Sequence, residues 1–177
     1  MSLHPAFRMI LVPVAAAAAY APAQALVYMS VEQAQQLMFK GQELTALPVT
    51  LSAADIAAIE GDSGVKVFAG GLRAWKADNG YFFVDAVIGK HELITYAVAL
   101  SREGKVLQTE ILEYREAYGG EVRSAGWRQQ FTGRQHGDAV RIGRDIKNIS
   151  GATLSSEHVT DGIRRLLAMY AIAIAGR

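Results

Sequence analysis

The sequence predicts an α+β domain: an antiparallel sheet of about four or more strands flanked by helices, with a C-terminal helix that follows a loop of small residues. Three observations carry this. Turn signals punctuate residues 64–114 at hairpin spacing, at Asp78-Asn79-Gly80, Gly89-Lys90-His91 and Arg102-Glu103-Gly104. Two short helical patterns with N-cap residues precede that region. One long pattern of apolar residues at 3–4 spacing closes the chain.

The elements follow in order. Ser30 to Phe39 reads as a short helix, with Ser30 as cap, Gln33 at the capping-box position and an apolar stripe of Val31, Ala34, Leu37 and Met38. Ser52 to Ile59 reads as a second, capped by Ser52 with Asp55 three residues on. Gly64 to Ala69 is expected as a strand, ending in a turn at Gly70-Gly71. Tyr81 to Ile88, Glu92 to Leu100 and Lys105 to Tyr114 complete an antiparallel meander. Helical pattern resumes over Glu121 to Phe131, Gly133 to Gly143 is a polar loop, and Ser156 to about Ala175 is the last helix, with Val159, Ile163, Leu166, Leu167 and Tyr170 facing inward.

The N-terminus has the form of a targeting segment. His4 and Arg8 precede an apolar, Ala-rich run from Met9 to Tyr20, and Ala23-Gln24-Ala25 fits signal-peptidase cleavage. The run contains Pro13 and is shorter than the roughly 20 residues of a spanning helix, which favours cleavage over an uncleaved anchor. The expected organisation is a signal peptide at 1–25, a single domain at 26–177 and a periplasmic location, with membrane association left open.

Composition removes several functions. The net charge of +1 and the lack of a Lys/Arg stripe give no case for nucleic acid. With no cysteine, thiolate metal sites, iron–sulfur ligation and haem attachment through cysteine are excluded, and four scattered histidines show no metal-ligand spacing. Any redox chemistry must come from a non-thiol cofactor.

The segment from Ser150 to Ser156 is small or hydroxylated except at Leu154, and it leads into a helix. Gly151 and Ala152 leave room for a phosphate, and the hydroxyls of Ser150, Thr153 and Ser155 can donate to it, next to the positive end of a helix dipole. The plain alternative is an ordinary N-cap.

Ser150-Gly151-Ala152-Thr153-Leu154-Ser155 followed by a helix resembles the flavinylation motif of FMN-binding domains, such as the FMN-carrying subunits of sodium-pumping quinone reductases and Rnf-type complexes. Upstream, Gly119-Gly120-Glu121-Val122 and then Trp127-Arg128-Gln129-Gln130-Phe131 with Gly133 resemble the family's glycine loop and Trp-x-x-Gln-Phe-x-Gly pattern, and Asp145-Ile146 also recurs there. The resemblance covers about residues 64–170. It implies FMN esterified through its 5′-phosphate to Thr153 by a separate flavin transferase that uses FAD. It implies cofactor contacts from Ser150, Gly151, Ala152, Leu154 and Ser155, and from Glu116, Gly119 and Gly120, with no catalytic residue and no metal.

Two positions depart from the family pattern. Lys147 stands where the family usually has Asp, three residues before Ser150, with Asp145 and Asn148 close but out of register. Glu116-Ala117-Tyr118-Gly119 replaces the usual Glu-Thr-Pro-Gly. Other assignments stay open. Trp127 and Phe131 pack near a flavin ring or in the core, Tyr114 and Tyr118 stack on it or simply end a strand, and Arg165 or Lys147 neutralises a phosphate or faces solvent. The function this implies is an exported carrier relaying electrons between membrane or periplasmic redox proteins. The alternatives are a flavin-dependent reductase acting directly on a small substrate and a flavin-free binding module.

Overall fold

The computed structural model describes residues 26–68 and 72–175. The expected signal peptide at 1–25 and the turn at Gly70-Gly71 lie outside them. The elements are β1 (Leu26–Val27), α1 (Val31–Met38), β2 (Thr45–Ala46), α2 (Ala53–Ser63), β3 (Arg73–Ala77), β4 (Gly80–Ile88), β5 (Leu93–Ser101), β6 (Val106–Tyr114), α3 (Ala125–Arg128) and α4 (Thr153–Met169), which continues as a π-turn over Tyr170–Ile174. The strands form one antiparallel six-stranded sheet in the order β1-β6-β5-β4-β3-β2. Three of its central strands, β4, β5 and β6, are those of the expected meander, whereas β3 and the two-residue strands at its edges were not expected. Register shifts between β5 and β6, at Thr95/Tyr96 and Ala99/Leu100, add twist and curl the sheet.

Both faces of the sheet are covered. Phe82, Val84, Ala97, Ala99 and Leu112 pack with Ala34 and Phe39 beneath α1. Phe83, Val87, Ile94, Tyr96, Val98 and Leu100 alternate with them and pack under α4, whose Val159, Ile163, Leu166 and Leu167 fill the main core. Burial on two sides explains why β4 and β5 read as nearly continuous apolar runs. At Gly162 a side chain would meet Tyr96 Oη at 2.5 Å and Val87 at 2.7 Å, so glycine lets α4 lie directly on the strands.

Both N-terminal helices carry the predicted capping boxes, Ser30 with Gln33 and Ser52 with Asp55. Leu37 differs from its expected place in the α1 stripe and is half exposed to solvent. The strand expected at 64–69 is not formed over the described residues 64–68. Gly64 ends α2 in the left-handed conformation, and the following main chain is claimed by side chains: Glu60 accepts the Val67 N–H at 2.9 Å, and Arg165 donates to the Lys66 carbonyl at 2.9 Å. The helix expected over 121–131 is broken into a 3-10 turn (Gly120–Arg123), α3 and a second 3-10 turn (Gln129–Phe131), because Ser124 takes an extended ψ of 125°. The last helix starts at Thr153 rather than Ser156, since the Ala152 carbonyl already accepts the Ser156 N–H at 2.9 Å.

Candidate functional site

Three segments converge at one end of the sheet: the β4–β5 turn, the stretch 116–120 after β6, and the loop 145–152 with the first turn of α4. Each is tied to its neighbours by specific bonds. Glu116 Oε1 accepts the N–H of Glu92 at 2.8 Å and that of His91, fixing the β4–β5 turn against residue 116. Burial alone would raise the Glu116 pKa, but the amides of Glu92, His91 and Lys90 outweigh it and hold the carboxyl below its usual range. On the other side His158 Nδ1 lies 2.7 Å from the Ile88 carbonyl and 2.9 Å from that of Gly89, so this nitrogen carries the proton. His158 therefore braces the turn to α4.

The glycine loop is joined to α4 by hydroxyls. Tyr114 Oη donates to the Tyr118 carbonyl and lies 2.8 Å from Ser155 Oγ, which leaves Ser155 as the donor to Tyr114. Ser155 is buried, so this hydroxyl points to the loop after β6 and away from solvent. Gly119 has φ +94°, and a Cβ there would meet Tyr114 Oη at 2.6 Å and Ser155 Oγ at 2.7 Å, so glycine is demanded by both backbone and space. Tyr114 is buried in the core, whereas the Tyr118 ring is 86% exposed beside the loop.

The loop before α4 is rigidly held. Asp145 accepts the N–H groups of Val140 at 2.9 Å and Arg141 at 2.8 Å and faces Arg134 at 3.5 Å. Burial raises its pKa, and those N–H donors with the Arg134 charge more than reverse the effect. Lys147 is fixed through its main chain, its N–H to Gln130 Oε1 and its carbonyl to the Trp127 indole, each at 2.8 Å. Trp127 and Phe131 are core residues in edge contact at 5.1 Å. Their part in the site is to position the loop from beneath.

The chain then passes through exposed Ser150 and Gly151, the latter at φ +85° with open space where a Cβ would stand, and enters α4 at Thr153. The N-cap, Ala152, is buried and offers no side-chain cap to the helix. The first-turn N–H groups thus have no capping side chain, which is the arrangement that an anion completes. Thr153 and Leu154 are exposed. Thr153 Oγ1 accepts a hydrogen bond from Asn148 Nδ2 at 3.1 Å. In the sequence Asn148 is only a polar residue out of register with the usual Asp, because its contact with Thr153 depends on the fold of the intervening turn and on no motif.

Arg165 is neither an exposed nor a phosphate-facing residue. It is buried, bonded to Asp85 at 2.7 Å, while Tyr96 Oη donates to the same carboxylate at 2.9 Å. It lies about 18 Å along α4 from Thr153 at roughly 1.5 Å per residue. Arg164 is also turned inward, donating to the carbonyls of Ser63 and Val140.

Residues 89–168 match the family model described as the FMN-binding domain. That stretch contains Glu116, the glycine loop, Thr153 and most of α4. No curated protein matches the chain.

Proposed function

We propose that this chain, whose residues 89–168 match the family model described as the FMN-binding domain, carries FMN as a phosphate ester on Thr153 and relays electrons between redox proteins outside the cytoplasmic membrane. The supporting observation is the position of Thr153. Its hydroxyl stands at the exposed first residue of a helix whose N-cap, Ala152, supplies no side-chain cap, two residues after Gly151, a glycine in a left-handed conformation with open space where a Cβ would stand. The residues fit the group: the first-turn N–H donors and the exposed Ser150 hydroxyl suit a phosphate, and Leu154 and Tyr118 offer exposed apolar surface beside it.

Flavin supplies the electron chemistry when bound, and the protein's share is to fix and orient it. Thr153 anchors, and Gly151 turns the chain toward the helix. The hydroxyl link between Tyr114 and Ser155 keeps the loop after β6 against the anchoring turn. An ester bond suits an exported protein, because a reversibly held cofactor is lost where free FMN is dilute. Residues 1–25 supply the export signal in this reading, and a flavin transferase using FAD is the partner that loads the site. Among the described residues no helix is long and apolar enough to cross a membrane.

The test is co-expression with a flavin transferase, followed by in-gel fluorescence after denaturation and intact mass. The expected result is a fluorescent band, an added mass equal to FMN minus water and a mature N-terminus near Leu26. Thr153→Ala should be folded and dark, and persistent fluorescence in that variant overturns the assignment.

A further inference from the structure

We propose that Asn148 is a positioning residue for the attachment reaction, holding the Thr153 hydroxyl as an acceptor so that its own proton and remaining lone pair face the incoming phosphate. The inference rests on the reading of Thr153 as the attachment site.

The orientation of the Asn148 amide is fixed by its partners. Oδ1 accepts the Ile149 N–H at 2.8 Å and lies 2.6 Å from Ser156 Oγ. A reversed amide would set its NH2 against the Ile149 N–H, two donors facing each other. Nδ2 is therefore the atom directed at Thr153 Oγ1, 3.1 Å away. Ser156 is itself fully buried in the first turn of α4, with Oγ also close to the carbonyls of Ala152 and Thr153. Asn148 is thus fastened to the helix that carries Thr153, and the loop and the hydroxyl keep a fixed relation.

This arrangement has a chemical consequence. In the attachment step a bond forms between Thr153 Oγ1 and the phosphorus of the FMN half of FAD. The pyrophosphate P–O bond breaks, AMP leaves with the electron pair, and the Thr153 proton passes to a base of the transferase or to water. A donor on Oγ1 occupies one lone pair, restricts rotation of the hydroxyl and stabilises negative charge developing on the oxygen. The carboxylate that the resembled family usually carries at position 147 is replaced by Lys147, and the polar side chain that this fold delivers to Thr153 comes from the next residue.

The experiment compares the wild-type chain with Asn148→Asp and Asn148→Ala, using purified apo protein, a flavin transferase and FAD. Covalent label is followed with time by fluorescence in denaturing gels, at a temperature where thermal melting shows every chain folded. Asn148→Asp keeps an oxygen for Ile149 and Ser156, so its melting temperature should be little changed, but it replaces the Nδ2 donor with a second acceptor. Labelling of both variants is expected to slow about tenfold or more, the scale set by loss of reactant positioning. Wild-type or faster labelling of Asn148→Asp overturns the proposal while leaving Thr153 as the attachment site. A wild-type chain that takes no label overturns both.

Discussion

Tyr114 and Ser155, 41 residues apart in the chain, meet with their hydroxyl oxygens 2.8 Å apart. Tyr114 ends β6 and Ser155 lies in the first turn of α4, so the contact joins the sheet to the turn that carries Thr153. Burial raises the Tyr114 pKa, which keeps the phenol protonated and able to donate to the Tyr118 carbonyl while accepting from Ser155.

Removing both partners should therefore cost less than the two single removals added together. Tyr114→Phe leaves the buried Ser155 hydroxyl without its acceptor and is expected to destabilise by about 1–3 kcal/mol. Tyr114→Phe combined with Ser155→Ala should lose less than the sum of the single changes. Urea midpoints of the four chains measure this, and strictly additive losses would show that the two hydroxyls are not coupled.

Gly119 and Gly151 both have left-handed backbones, yet they should respond differently to substitution. A methyl at Gly119 meets two hydroxyl oxygens within 2.7 Å, so Gly119→Ala adds a clash to the backbone strain and should cost about 2–5 kcal/mol. At Gly151 no atom lies within 4 Å of an added Cβ, and Gly151→Ala should cost only about 1–2 kcal/mol, the backbone cost alone. Gly151→Val, whose larger side chain fills the open space before Thr153, should lower flavin attachment more than it lowers the melting temperature. A Gly151→Val chain that melts far lower yet is labelled at the wild-type rate contradicts the cradle role of this loop.

The buried pair of Asp85 and Arg165 supports the core and does not serve the site. Arg165→Met strands the Asp85 carboxylate and should destabilise by about 3–5 kcal/mol. The protein that remains folded should still be labelled on Thr153, since the substitution is about three turns of helix away. Thermal melting and in-gel fluorescence on one preparation separate these effects, and a stable, unlabelled variant would assign Arg165 to the cofactor after all.

Acid should loosen the β4–β5 turn through Glu116. Burial pushes its pKa up and the amides of Glu92, His91 and Lys90 push it down further, so the folded value lies below the ordinary 4.5. A carboxyl depressed in the folded state contributes stability above its unfolded value, and that contribution disappears as the pH falls through the folded value. Glu116→Gln should accordingly melt below the wild type at neutral pH, and the gap should close on acidification from about 4.5 downward. A gap that is constant with pH would mean that the charge of Glu116 is irrelevant to the turn.

Much of this architecture is written locally. The capping boxes at Ser30 and Ser52 start α1 and α2 where they were expected, and the turns at Asp78-Asn79, 89–92 and 102–105 separate the central strands, because caps and tight turns are settled within about four residues. The segment from Ser150 to Ser155 and the glycine loop were legible for the same reason, as contiguous motifs that place a hydroxyl and a glycine before a helix. Residues 65–68 show the limit. They have the composition of a strand, but Glu60 and Arg165 claim main-chain groups there. Only the tertiary structure decided that Ser155 turns inward to Tyr114 and that Arg165 is buried against Asp85. It alone decided that Asn148, and not an acidic residue in the usual register, meets Thr153. The first two contacts join residues far apart in sequence. The third depends on the path of a turn that Trp127 and Gln130 hold from outside, so no local pattern could specify it.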